Sequence, residues 1–86
     1  TVDAGARQAL EERRVSLLPA GVVAVDGTYE AGSAVEVCDP SGSVFAKGIV
    51  RHDSALLRAH AGRRTGDLPD GMAHEVIHAD DLVVLP

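Results

Sequence analysis

The chain has 86 residues, of which 45% are hydrophobic and 24% are charged, and its formal net charge is −5. This length fits one domain and leaves little room for a deep catalytic cleft beside a core, and the ordinary hydrophobic content argues against intrinsic disorder. An acidic chain is also disfavoured as a non-specific nucleic-acid binder, because Lys and Arg supply most of that affinity.

The first predicted element is a short helix over residues 4–12. Asp3 is a typical N-cap residue, and Leu10 lies on the apolar face of the helix. Arg13 and Arg14 follow at the C-terminal end, where positive charge complements the helix dipole.

Residues 22–25 form a continuous run that is rich in β-branched side chains, which predicts a buried strand. Two further strands are predicted at residues 34–38 and 44–51. Residues 39–42 read Asp-Pro-Ser-Gly, the pattern of a type I turn, so these two strands are expected to form a hairpin. Gly48 lies inside the second hairpin strand, which indicates a structural role at a bulge or at a close backbone approach.

A second helix is predicted over residues 55–61, with Asp53 or Ser54 as its cap and Gly62 as its C-terminal stop. Residues 63–71 are rich in turn formers. The last predicted strands are residues 75–78 and 82–85, separated by residues 79–81. The fold class expected from these elements is mainly β, with two or three short helices, in a compact barrel or pseudo-barrel.

No catalytic, cofactor-binding or metal-binding constellation is predicted. The four histidines lack the spacing of a zinc-ligand pair: they are His52, His60, His74 and His78. Cys38 has no basic neighbour that would activate a thiolate, and as a single cysteine it fits a reducing, cytoplasmic setting. No apolar run is long enough to span a membrane, so no membrane association is expected.

The chain begins without Met, and its last strand-like run ends almost at the terminus. We therefore expect it to be the C-terminal fragment of a longer protein. The Arg13–Arg14 and Arg63–Arg64 doublets are expected to be solvated, and a local basic patch for a nucleic acid or a partner domain stays open as an alternative.

Several segments, in this order along the chain, resemble the PUA domain found at the C-terminus of bacterial glutamate 5-kinases. The segments are residues 2–6 with Ala9 and Leu10, 16–22 (SLLPAGV), 32–37, 39–42, 46–50 and 75–85 (EVIHADDLVVL). The resemblance covers essentially the whole chain as a single domain, residues 1–86, and the Ala-rich and Arg-rich style resembles actinobacterial members.

The resemblance implies a PUA-type β pseudo-barrel. It also implies a homo-oligomeric parent enzyme that phosphorylates the γ-carboxylate of L-glutamate with ATP and magnesium, the first step of proline synthesis. The site of that reaction is expected in an N-terminal amino-acid-kinase domain outside this chain. For the present residues it implies either an accessory, regulatory role toward that kinase domain or weak binding of structured RNA. The face concerned is formed by the first helix, the loop after it and the final strand, with six candidate residues: Arg13, Arg14, Leu18, Pro19, Ala20 and Gly21.

Overall fold

A computed structural model describes residues 1–13, 15–69 and 74–86 of the chain. Within these residues there are two α-helices, α1 (Ala4–Arg13) and α2 (Ser54–His60), and three strands, β1 (Ala34–Cys38), β2 (Val44–Ile49) and β3 (Leu82–Val84). Short 3₁₀ turns lie at Pro19–Gly21, Thr65–Asp67 and Ala79–Asp81. Arg14 and part of the predicted turn region, residues 70–71, lie outside the described residues.

The predicted hairpin is confirmed. β1 and β2 pair in antiparallel register, with Ala34 opposite Ile49 and Cys38 opposite Val44. The N–H of Gly42 donates to the carbonyl of Asp39 over 2.9 Å, and Gly42 takes a φ of +89°, a conformation that glycine adopts without a side-chain clash. The turn chemistry of residues 39–42 therefore sets the register of the hairpin.

Both predicted helices are confirmed to within one residue at their ends. The Asp3 carboxylate accepts from the N–H of Ala6 over 2.6 Å at the start of α1, and the Asp53 carboxylate accepts from the N–H of Leu56 over 2.8 Å at the start of α2. These caps satisfy donors that the first turn of a helix leaves unpaired. Gly62, at φ +80°, follows the end of α2 as predicted.

The prediction of a buried strand over residues 22–25 was wrong. Only Val22 makes a β-bridge, with Val2, and Val23 is 62% exposed. The carbonyl of Thr1 accepts from the N–H of both Val23 and Ala24, and the chain enters α1 two residues after Val2. The partner segment is therefore too short to carry a ladder.

The predicted strand over residues 75–78 is also reduced to one bridge, between Ile77 and Leu17. The N–H of Leu17 donates to Ile77 over 2.9 Å, and the N–H of Val76 donates back to Leu17 over 2.7 Å. Pro19 has no N–H to continue this ladder, and His78 already caps the Ala79–Asp81 turn by accepting from Asp80. The sheet therefore closes into a pseudo-barrel through isolated bridges rather than through long strands.

The three-stranded sheet has the order β1-β2-β3, and all its pairs are antiparallel. The core lies between this sheet, α1 and the bridged segments. Its buried apolar members are Val2, Leu10, Leu17, Val22, Val37, Phe45, Ala46, Val50, Leu57, Val76 and Ile77. None of the helices in the described part of the chain combines the length and the apolar character needed to cross a membrane.

Gly48 lies at a close approach between β2 and the segment that leads into β3. A Cβ atom at this position would lie 2.7 Å from Cγ2 of Ile77 and 3.0 Å from the carbonyl oxygen of Asp81. The register irregularity of the hairpin lies instead between Val37 and Cys38. The glycine is thus required by space and not by a bulge.

Asp39 joins the hairpin to α1. Its carboxylate accepts from the hydroxyl of Ser41 over 2.6 Å and from the N–H of Ser43 over 3.0 Å, and it forms an ion pair with Arg7 of α1. The guanidinium of Arg7 also lies 5.0 Å from the ring centroid of Phe45. The hydrogen bond from the Ser41 hydroxyl, helped by the backbone N–H groups and by Arg7 and opposed by burial, holds the pKa of Asp39 below its usual value.

Replacing Gly48 with alanine should destabilise the protein by about 1–3 kcal/mol, because the added methyl group overlaps Ile77 in a packed region. Gly66→Ala is the matched control, since nothing lies within 4 Å of a Cβ at that exposed position. Urea unfolding of the two variants measures the difference. Equal midpoints for Gly48→Ala and the wild type would contradict the close approach.

Acid should weaken the fold through Asp39. A carboxyl whose pKa is lowered by folding stabilises the native state at and above its unfolded pKa, near pH 4, and this contribution is lost as the pH falls through the lower, folded pKa. The free energy of unfolding should therefore fall less steeply below about pH 4 in Asp39→Asn than in the wild type. The exposed Asp26→Asn serves as a control, and an Asp39→Asn slope identical to that of the wild type would refute the argument.

Candidate functional site

The Pro19–Gly21 turn packs against α1. The N–H of Asp3 donates to the carbonyl of Gly21 over 3.0 Å, and a Cβ at Gly21 would lie only 2.8 Å from Cβ of Ala6. Pro19 is buried, Ala20 is exposed and Leu18 is 41% exposed. The structure thus brings the predicted loop residues to one side of the first helix.

Two adjoining grooves lie on this side of the molecule. The first, of about 310 Å³, runs between α1 and the turn, and its lining residues are Asp3, Ala6, Ala9, Leu10, Val15, Ser16, Leu17, Leu18, Ala20 and Gly21. The second, of about 520 Å³, runs between α1 and β3 and is lined by Leu10, Glu11, Val15, Ala79, Asp80, Leu82, Val83 and Val84. Because Leu10 and Val15 line both, we treat them as one surface and call it the α1–β3 groove.

The walls of the α1–β3 groove are held by hydrogen bonds between distant parts of the chain. The hydroxyl of Ser16 accepts from the N–H of Ala79 over 2.8 Å, which fixes the Ala79–Asp81 turn beside the segment after α1. Leu17 and Ile77 form the bridge beneath this contact. The groove is therefore part of the pseudo-barrel framework.

Arg13 does not line the α1–β3 groove. It is exposed at the end of α1 and borders a separate indentation of about 200 Å³ with Gly5, Gln8, Ala9 and Glu12. The side chain of Gln8 contacts the carboxylate of Glu12, so the surface around Arg13 also carries an acidic group. Arg14, the other predicted basic residue, lies outside the described residues.

The structure places a second pair of arginines next to the predicted loop. The N–H of Gly62 donates to the carbonyl of Pro19 over 2.7 Å, so the exposed residues Arg63 and Arg64 follow directly after a contact with the turn. This placement was not predictable from the sequence, because the contact joins positions far apart along the chain. Arg58 of α2 is engaged differently: its guanidinium donates to the carbonyls of Val25 and Gly27.

The charge of the α1–β3 groove differs from that of a nucleic-acid site. Within residues 1–13, 15–69 and 74–86, the charged residues that line it are Asp3, Glu11 and Asp80, which are all acidic. Glu11 is paired with Arg7 over 3.0 Å, whereas the side chain of Asp80 is 90% exposed. Such a lining repels phosphate groups.

Exposed aliphatic side chains accompany these acids. Val15 is 41% exposed and Val83 is 64% exposed, and both border the groove together with Leu18. Sequence reasoning did not single out either valine, because each stands in an apolar run that reads as core. Val15 lies beyond the end of α1, and Val83 is the exposed middle residue of β3, between the half-buried Leu82 and Val84.

Among the described residues, no group of three or more His, Cys, Asp or Glu side chains is placed to hold a metal ion. Cys38 is a half-buried residue at the end of β1.

Comparison with known protein families shows a match to the PUA domain over residues 1–72. Among curated proteins, the chain is 45% identical over 85 residues to the glutamate 5-kinase of Mycolicibacterium gilvum, 42% identical over 85 residues to that of Mycobacterium ulcerans and 44% identical over 89 residues to that of Myxococcus xanthus. These matches cover 99% of this chain, which spans 23–24% of the length of the relatives. The resemblance to the PUA region of glutamate 5-kinases is thus confirmed.

A solved structure supports the same fold. A conserved PUA domain protein from Thermoplasma acidophilum aligns with a TM-score of 0.64 and 26% sequence identity, covering 90% of this chain and 45% of the other. The predicted pseudo-barrel fold is confirmed by this likeness, although its strands at residues 22–25 and 75–78 are reduced to single bridges.

Proposed function

The chain belongs to the PUA domain family, and we propose that it is the accessory domain of a glutamate 5-kinase, which tunes the catalytic part of the enzyme and carries no chemistry itself. The observation that supports this most is the identity of 42–45% over 99% of the chain to proteins of that name. The ATP-dependent phosphorylation of L-glutamate, with its magnesium ion, is assigned to the part of the parent that this chain does not contain.

Accessory roles need a surface and not a catalytic constellation. The exposed Val15 and Val83 beside acidic residues supply such a surface in this chain. A domain that contacts one conformation of the kinase part more favourably than another shifts the equilibrium between the two conformations. This shift would alter the activity of the kinase part. Such a contact would serve both the regulation of the kinase and its assembly. The parent enzyme in this proposal is cytoplasmic and homo-oligomeric.

The proposal predicts that this 86-residue chain alone has no ATP-dependent glutamate phosphorylation above background. It also predicts that a chimera, in which the chain replaces the matching 85 residues of the Mycolicibacterium gilvum kinase, keeps the activity and proline inhibition of that enzyme. The same kinase without those residues should differ from both in its proline inhibition curve. Turnover by the isolated chain, or no effect of the deletion, would contradict the accessory role.

RNA binding is the second candidate. Arg63 and Arg64 stand beside the Pro19–Gly21 turn through the contact of Gly62 with Pro19, and Arg13 ends the first helix. The acidic lining of the neighbouring groove works against this function, because it repels the phosphate backbone over distances shorter than a Debye length. We therefore rank RNA binding below the accessory role.

A titration with a tRNA acceptor-stem mimic at about 150 mM salt should give a dissociation constant no tighter than about 10⁻⁵ M, in the non-specific range. The variants Arg13→Ala/Arg14→Ala and Arg63→Ala/Arg64→Ala separate the two basic pairs. Sub-micromolar binding that either double variant abolishes would make RNA binding the leading function.

A further inference from the structure

We propose that the α1–β3 groove is a docking site for an apolar segment, flanked by Lys or Arg, on the kinase part of the parent protein. This inference rests on the proposed accessory function and names the surface that carries it. The surface is the one with which PUA domains are expected to contact RNA, so the inference assigns a different class of partner to it.

The apolar part of the groove is formed by side chains that the fold leaves uncovered. Val15 and Leu18 are each 41% exposed, and Val83 is 64% exposed. All three line the α1–β3 groove, together with the core residue Leu10. Contiguous exposed apolar surface that borders polar residues is typical of protein–protein contact sites. A segment with two or three aliphatic side chains would cover these positions and gain the free energy of their burial.

The charged part of the groove selects among possible partners. Among the described residues, the charged side chains that line it are Asp3, Glu11 and Asp80, so this part of the lining is acidic. Electrostatic complementarity across an interface then favours Lys or Arg on the partner and disfavours phosphate. Asp80 is the most accessible of these groups, because its side chain is 90% exposed.

The backbone of β3 offers further contacts. β3 is an edge strand in the order β1-β2-β3, and the N–H of Leu85 donates to the carbonyl of Phe45 in β2 over 2.8 Å. Because backbone groups alternate in direction along a strand, the N–H and carbonyl of Val84 point to the opposite edge, which borders the groove. An extended segment in the groove is thus within reach of strand-type hydrogen bonds.

The kinase part of the parent is the partner that meets these conditions most readily. The matched relatives are about four times as long as this chain, so three quarters of such a protein would lie next to the domain on the same polypeptide. Covalent attachment raises the effective concentration of a partner into the millimolar range, where a small apolar contact suffices for docking.

The test uses the chimera defined above and two pairs of matched variants. Val83→Asp places a charge in the groove, whereas Val23→Asp does so at an equally exposed valine, 62% against 64%, outside it. Asp80→Lys reverses a charge of the lining, and Asp81→Lys does so at the neighbouring exposed residue that does not line the groove. Circular dichroism of each variant of the 86-residue chain verifies that it folds.

Hydrogen exchange is compared between the chimera and the 86-residue chain alone. We expect peptides covering residues 10–18 and 79–85 to exchange about tenfold more slowly in the chimera, which corresponds to about 1.4 kcal/mol of docking. Val83→Asp and Asp80→Lys should remove this protection, and Val23→Asp and Asp81→Lys should retain it.

Three outcomes overturn the inference. Equal exchange of these peptides in the chimera and the isolated chain shows that the groove is not a docking site, and the accessory function still stands if deletion changes proline inhibition. Protection that Val83→Asp and Asp80→Lys leave intact places the contact elsewhere. Protection of the groove by the acceptor-stem mimic, and none by the kinase part, assigns the surface to RNA.

Discussion

The Asp39 carboxylate is the contact on which the arrangement of helix and sheet depends. Asp39 directly follows β1, and its carboxylate orders the hairpin turn through Ser41 and Ser43 and pairs with Arg7 of α1. The carboxylate is largely withdrawn from water, so its charge is stabilised by fixed donors instead of by solvent. One ionised group thus contacts both the hairpin turn and the helix that borders the α1–β3 groove.

Elements that are specified by neighbouring residues were predictable from the sequence. The caps at Asp3 and Asp53 place the starts of both helices, and the turn at residues 39–42 places the hairpin. Residues 22–25 and 75–78 have the composition of strands but not the structure, because pairing depends on partners elsewhere in the chain. Those partners end early, at the start of α1 in one case and at Pro19 in the other.

In the candidate site too, some features were predictable from the sequence and others depend on contacts between distant residues. The sequence, through its family resemblance, identified the loop from Leu18 to Gly21 beside the first helix, and the structure has these residues against α1. It did not identify Val15 and Val83 as exposed, nor Arg63 and Arg64 as neighbours of the loop. These features arise from contacts between opposite ends of the chain, such as Ser16 with Ala79 and Pro19 with Gly62. Composition and periodicity carry no information about such contacts.

The distribution of charge explains how one fold serves different partners. The backbone that forms the α1–β3 groove depends on the bridge between Leu17 and Ile77 and on the hydrogen bond of Ser16 with Ala79. The side chain of Asp80, which is 90% exposed, takes no part in either contact, so its charge can change while the framework stays. A basic rim on the same framework would attract phosphate, and an acidic rim with exposed valines attracts a basic, apolar protein segment. The fold therefore fixes where a partner is met, and a few exposed side chains decide its chemical class.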